Sequence, residues 1–296
     1  MLRNFFIVAV RNLKKQKGFS FINILGLALG MACCILIMLW VQDELSFENS
    51  HKKADRIARV VTEINFDSGE VLRTTRTIPP LAQALQEDYP EIEDAVRLCR
   101  IGKSAIKVDD KLYYDDMILF ADPNVFNVFT LPLKSGDPKT ALNDVSSIII
   151  SEEIAEKYFG DGDPVGETIV FREDYPLKVT GVLQEIPNNT HIRANFLINF
   201  SFFKNFGYDI SNDRWDDYIY FTYILLKDKF TLKDLDEKIH GYLERKRGIT
   251  NIDLHLQPLK SIHLHSNYVF DLIPPGNIEY VYIFSFIALF VLFIAC

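Results

Sequence analysis

Two stretches without charge frame the chain. Between Lys17 and Asp43 no charged side chain occurs, and after Glu279 none occurs up to Cys296. Gly18 to Gln42 covers about 25 residues, which at ~1.5 Å rise per residue exceeds the ~30 Å hydrocarbon thickness of a bilayer. The spacing predicts a transmembrane helix there. Tyr280 to Cys296 lies at the lower limit of a span and meets no polar stop. It is expected to be the start of a second membrane helix, cut short by the end of the sequence.

Between these runs the pattern changes to short strand and helix signals. Ile57 to Ile64 is rich in β-branched residues, and Pro79-Pro80 then opens a helix at Leu81 to Leu85 that stops at Tyr89-Pro90. Tyr218 to Leu226 predicts another strand. Thr231 to Asp234 has the capping-box form ahead of Leu235, Ile239, Tyr242 and Leu243 at helical spacing, with Gly248 closing that helix. Ile252, Leu254 and Leu256 then alternate with Asp253, His255 and Gln257, as in a half-buried strand. Two strand-helix-strand units of this kind can pair into one split βαβ sheet with helices on one face. From Asp122 to Trp215 the texture is punctuated by Gly136-Asp137-Pro138 and Gly160-Asp161-Gly162-Asp163-Pro164, which predicts an insertion. It contains one clear helix, Ser151 to Phe159, capped by Ser151, with Glu152 and Glu153 at its positive end and Gly160 as its stop. The expected fold class is an α+β extracytoplasmic domain flanked by transmembrane α-helices.

Charge sets the orientation. Arg3, Arg11, Lys14, Lys15 and Lys17 precede the first run with no acid among them, whereas Asp43, Glu44 and Glu48 follow it. Lys and Arg beside a span favour the cytoplasmic side, so the N-terminus is expected inside and residues 43–279 outside. Leu2, Phe5, Phe6, Ala9, Val10 and Leu13 recur at helical spacing, which predicts an amphipathic segment whose basic side meets anionic lipid. A solvated first turn of the membrane helix is the alternative. Within the span, Gly26 and Gly30 form a Gly-x-x-x-Gly pair that lets another helix approach closely; glycines that simply face lipid are the alternative. The formal net charge is −8, and the region after the basic tail is more acidic still, which excludes nucleic acid as a partner. A cleavable signal peptide fits poorly, because the run is too long and Leu39 to Glu44 offers no small-x-small cleavage site. Cys33, Cys34 and Cys296 lie in the apolar runs, so Cys99 has no partner for an internal disulfide.

Sites of chemistry are scarce. No Gly-x-x-x-x-Gly-Lys-Ser/Thr loop, Gly-x-Ser-x-Gly elbow or His-Glu-x-x-His pair occurs. Three imidazoles can bind zinc, and His255, His263 and His265 lie close in sequence with Asp253 nearby. Alternation places Leu254, Leu256, Ile262 and Leu264 on the buried face, so these histidines are expected in solvent. No catalytic residue, cofactor or metal ligand is expected. Asn188-Asn189-Thr190 is read as an exposed turn. The aromatic residues from Phe196 to Tyr223, among them Phe200, Phe202, Phe203, Phe206, Trp215 and Tyr220, are expected to be mainly core, with some available to a partner or cargo.

Gly18-Phe19-Ser20-Phe21-Ile22-Asn23-Ile24-Leu25-Gly26-Leu27-Ala28-Leu29-Gly30, after Asn12-Leu13, resembles the first membrane helix of FtsX-like/MacB-type ABC transporter permeases. Asp55-Arg56-Ile57, Tyr89-Pro90-Glu91-Ile92, Phe126 to Phe129, Gly136-Asp137-Pro138, Ala155 to Asp161 and Ile262-His263-Leu264 resemble their periplasmic core domain, in the same order. The resemblance implies a cytoplasmic segment at 1–17, a membrane helix at 18–42, a periplasmic domain at 43–279 and the start of a second helix at 280–296. Within the domain it implies a porter-like layer, 43–121 and 216–275, around a sabre-like insertion, 122–215. It further implies a multi-pass inner-membrane permease without ATPase activity of its own. Its partners would be a separate ABC ATPase subunit, a second permease in a homo- or heterodimer, membrane lipid and a possible periplasmic protein. A membrane-anchored sensor that binds a small ligand outside and signals inward is the competing reading.

Overall fold

The computed structural model describes residues 11, 15–172, 174–211 and 214–295. Most of the expected amphipathic segment, with Arg3 and Lys14, lies outside the described residues; Arg11, Lys15 and Lys17 are exposed. Helix α1 (Lys17–Leu45) is unbroken over 29 residues and, among the described residues, is the one helix long and apolar enough to cross a membrane. It runs past Gln42 because Asp43 and Glu44 keep helical geometry to the cap at Ser46.

Phe47–Pro275 is a separate compact unit. Along it run strands β1 (Ile57–Asn65), β2 (Val71–Thr74), β3 (Ile92–Ile101), β4 (Ser104–Val108), β5 (Lys111–Asp115), β6 (Ile118–Ala121), β7 (Leu133–Ser135), β8 (Ser147–Ser151), β9 (Thr168–Phe171), β10 (Tyr175–Leu183), β11 (Phe196–Asn199), β12 (Phe221–Leu226) and β13 (Ile252–Pro258). The helices used below are α2 (Leu81–Asp88), α3 (Glu152–Phe159), α4 (Leu232–Ile239), α5 (Tyr242–Arg247) and α6 (Ile262–His265). The strands form one sheet in the order β13-β1-β12-β3-β6-β11-β8-β10-β9-β4-β5, with β2 on β1 and β7 on β10.

The first four positions, β13-β1-β12-β3, are all antiparallel neighbours. With α2 joining β1 to β3 and α4–α5 joining β12 to β13, this is the split βαβ arrangement. Ala58, Val60, Ile224, Leu226 and Leu254 pack there against Leu81, Leu85, Leu235 and Ile239. Everything from β4 to β11 is inserted between β3 and β12. Strands β4 and β5 precede Asp122 in sequence, yet β4 pairs with β9 at the far end of the sheet. A second core fills that end: Phe120, Phe171, Phe196, Phe200, Phe202, Phe203 and Tyr220 are buried together, and this is where most of the aromatic run is used.

Local deviations from the sequence pattern have identifiable causes. The helix expected from Thr231 to Gly248 breaks at His240-Gly241, because Asp253 Oδ1 accepts the Gly241 N–H at 2.8 Å and Gly241 takes a left-handed φ of +64°. Strand β12 starts at Phe221, since Tyr220 pairs instead with Thr77. Gln257 is buried although alternation places it outside, held by the Arg59 side chain. Ile262 and Leu264 are buried, but on the helical turn α6 and not on a strand.

Helix α7 (Ile278–Ala295) is apolar and 18 residues long. Against α1, the Cys34 thiol donates to the Ala288 carbonyl at 3.1 Å, and Trp40 meets Phe284 edge-on at 5.1 Å.

Candidate functional site

The first residues of the core unit are fixed by side-chain chemistry. Phe47 stacks on His263 of α6 with ring centroids 3.3 Å apart. Glu48 follows with φ +65°, a conformation uncommon outside glycine, and its side chain is closed to solvent. Its N–H donates to Asn189 O at 2.9 Å. Its carboxylate accepts from the Thr190 hydroxyl at 2.7 Å, from the His191 N–H at 2.7 Å and from His191 Nδ1 at 2.8 Å. His51 Nδ1 accepts the Thr130 N–H at 3.1 Å, which leaves Nε2 to carry the proton it shares with Thr190 Oγ1 at 3.0 Å. Every oxygen of the buried carboxylate is thereby satisfied.

Burial pushes the Glu48 carboxyl up, but the attraction of His191 once that ring is protonated in acid, and hydrogen bonds from His191, His51 and Thr190, outweigh it and hold it well below the usual carboxylate range. Burial dominates at His191 and lowers its pKa against the pull of Glu48. The imidazole is therefore neutral, donating through Nδ1 and accepting the Tyr223 hydroxyl at Nε2 over 2.7 Å. Burial raises the Tyr223 pKa, so that hydroxyl keeps its proton.

Tyr223 carries the network across the sheet. Its hydroxyl interacts with the guanidinium of Arg59 on β1. Arg59 is fully buried and binds Asp271 Oδ1 at 2.5 Å and Gln257 Oε1 at 2.5 Å, while Ser266 Oγ donates to Asp271 Oδ2 at 2.7 Å. Two buried polar groups, Glu48–His191–Tyr223 and Arg59–Asp271, are thus linked electrostatically through Tyr223 and Arg59, and they reach from the third residue after α1 to the seventh before α7. Leu259, Ile262 and Leu272 pack into the same core as Tyr223.

The residues singled out from sequence fall elsewhere. A Cβ on Gly26 would meet nothing within 4 Å, and Gly30 is half-buried. His265 is exposed, His263 is engaged with Phe47, and His255 lies against His240 with ring centroids 4.5 Å apart. The turn at Asn188-Asn189-Thr190 is not simply exposed: Thr190 is buried because it serves Glu48. No sequence pattern brings Glu48, His51, His191 and Tyr223 together: Glu48 figures only among the acids after the first apolar run, and Tyr223 only in the strand and aromatic run. Arg59 alone had a signal, a cation inside the β-branched run Ile57-Ala58-Arg59-Val60-Val61. An open groove of about 570 Å³ lies beside α3, lined by Glu152, Glu153, Glu156, Glu185, Arg193 and Asn195.

A mixed α+β core built on a split βαβ layer with a large inserted half follows the apolar helix α1. Residues 20–242 match the profile of the MacB-like periplasmic core domain, and the chain belongs to that family. A domain of a permease protein from Porphyromonas gingivalis superposes with a TM-score of 0.61 at 24% identity, over 78% of this chain and 98% of that one. The extracellular domain of the noncanonic ABC-type transporter YknZ from Gram-positive bacteria superposes with a TM-score of 0.51 at 15% identity, over 68% and 99%. Macrolide export ATP-binding/permease proteins MacB from Neisseria gonorrhoeae and Neisseria meningitidis are 36% identical over 66 residues. That alignment takes in 21% of this chain and 10% of the relatives' length.

Proposed function

We propose that the chain is the permease part of an ABC transporter of the MacB/FtsX type, coupling ATP hydrolysis elsewhere to movement of its periplasmic unit. The N-terminus lies in the cytoplasm, α1 and α7 enter the inner membrane, and Phe47–Pro275 lies outside. Arg3, Arg11, Lys14, Lys15 and Lys17 hold the inner end against anionic lipid. The porter-like half is the β13-β1-β12-β3 layer, and the sabre-like half is the inserted sheet. The chain is not itself an enzyme: ATP hydrolysis belongs to a separate ABC ATPase subunit, even though the Neisseria relatives carry both functions in their name. A second permease, the same or related, packs on the open Gly26 face of α1. The work is export or extraction of a hydrophobic or peptide substrate, or regulation of a periplasmic partner.

The observation that carries this reading is the buried path from Glu48 to Asp271. Mechanical transmission needs both chain segments bordering the apolar helices to be fixed in one block, so that displacement is not lost in loop motion. A buried polar network in which the carboxylates of Glu48 and Asp271 are paired supplies that rigidity, although Arg59 Nε has no hydrogen-bond partner among the described residues. The sensing alternative draws less support, because ligand sites are mostly enclosed and apolar, whereas the groove beside α3 is open and lined by four carboxylates. Purification of the full chain from its native membrane tests the choice. Co-purification of an ABC ATPase is expected; a stoichiometric small ligand retained without any ATPase contradicts the proposal.

A further inference from the structure

We propose that Asp236, His240 and His255 form a binding site for a divalent transition-metal ion of the zinc type, at the outer edge of the split βαβ layer. One ligand atom from each of the three side chains lies within 4.8 Å of the other two. Two imidazoles and one carboxylate are a donor set that zinc takes, with a fourth position left to water or an external ligand. Their placement follows from the fold. Asp236 and His240 stand four residues apart, on α4 and at its C-cap, so they share one side of the helix end. His255 is on β13, the edge strand that α4 packs against.

The surroundings orient the ligands. Asp253 Oδ2 binds His240 Nδ1 at 2.9 Å, and its other oxygen is anchored by the N–H groups of Gly241 and Leu254, each at 2.8 Å. A carboxylate that holds one ring nitrogen of a histidine fixes the tautomer and leaves Nε2 with its lone pair outward, as the outer shell of metal sites does. Asp236 Oδ1 accepts the Leu256 N–H at 2.5 Å, which holds the carboxylate against β13. All three ligands are half-buried, open enough for entry of an ion and covered enough to be held in place. The bound ion ties the end of α4 to β13, and its open position faces solvent, where it can take a ligand from a partner. The site is independent of the Glu48–Asp271 path and of the permease reading.

The test uses the untagged full chain in detergent, equilibrated with Zn²⁺ and freed of excess by desalting, with bound metal measured by mass spectrometry. One zinc per chain is expected. His255→Ala and Asp236→Asn are each expected to weaken binding at least tenfold, whereas His263→Ala, which lies outside the cluster, leaves it unchanged. X-ray absorption of the zinc-loaded wild type, which needs no variant to fold, is expected to show two imidazoles with oxygen and no sulfur, which separates this site from Cys33 and Cys34. Absence of retained zinc in the wild type, equal retention by His255→Ala, or a sulfur-containing shell overturns the proposal.

Discussion

His191 Nδ1 lies 2.8 Å from Glu48 Oε1, and both side chains are closed to solvent. This contact joins the start of the core unit to the loop before β11, and through Tyr223 and Arg59 to its last segment.

Glu48→Ala orphans the Thr190 hydroxyl and both donors of His191. Leaving buried donors without partners costs roughly 1–3 kcal/mol each, so a loss of about 3 kcal/mol or more is expected in urea unfolding of the full chain in detergent. A change below about 1 kcal/mol would mean that the network does not hold the segment.

The same contact sets a pH response. The folded pKa of Glu48 is below its ordinary value of 4.5, and that of His191 is below its ordinary 6.5. In both cases the unfolded chain takes up protons first as pH falls, so stability is fully present above about 6.5, declines below it and falls further below about 4.5. His240, raised by its hydrogen bond to Asp253, acts in the opposite direction, so the comparison is made between variants. His191→Gln is expected to flatten the loss between pH 6.5 and 4.5 relative to wild type in the same urea assay. An unchanged slope contradicts the assignment of a neutral buried His191.

Arg59 and Asp271 are both buried, and removing either strands the other's charge. A double-mutant cycle with Arg59→Ala and Asp271→Ala is expected to give a coupling of at least about 1 kcal/mol, since buried partners in one network do not add. Additive single effects would show that the two ends of the unit are not linked through this pair.

Periodicity exposed the parts of the fold that depend on local sequence. Leu81 to Leu85, Ser151 to Gly160 and the β1 run are legible because spacing and caps act within a few residues. The network was hidden because its members come together only through sheet order: Glu48 and His191 are 143 residues apart, and Arg59 and Asp271 are 212. The placement of β4 and β5 was hidden for the same reason. Asp253 breaking the α4–α5 connection at Gly241 is a tertiary bond that no capping pattern announces. His255 stands near His263 and His265 in sequence, whereas its spatial neighbours are Asp236 and His240, so that cluster is not legible from spacing.

Backbone packing in the inserted half gives a further test. Gly136 has φ +95°, and a Cβ there would sit 2.6 Å from Thr180 O and 2.9 Å from Gly181 Cα, where β7 meets β10. Gly69 has φ +85° with nothing within 4 Å. Gly136→Ala is therefore expected to destabilise clearly more than Gly69→Ala, which bears only the backbone strain of about 1 kcal/mol. Equal effects in unfolding experiments would contradict the close β7–β10 approach.

The most direct test of the central claim is the side of the membrane on which the core unit lies. In a variant whose cysteines are replaced by alanine, single cysteines are introduced as Ser68→Cys, in the β1–β2 turn, and Arg11→Cys, before α1. With a membrane-impermeant maleimide on cells whose outer barrier is opened but whose inner membrane is intact, Ser68→Cys is expected to label, and Arg11→Cys only after lysis. Labelling of Arg11→Cys in intact cells, or protection of Ser68→Cys until lysis, would place the core unit on the cytoplasmic side and contradict the account.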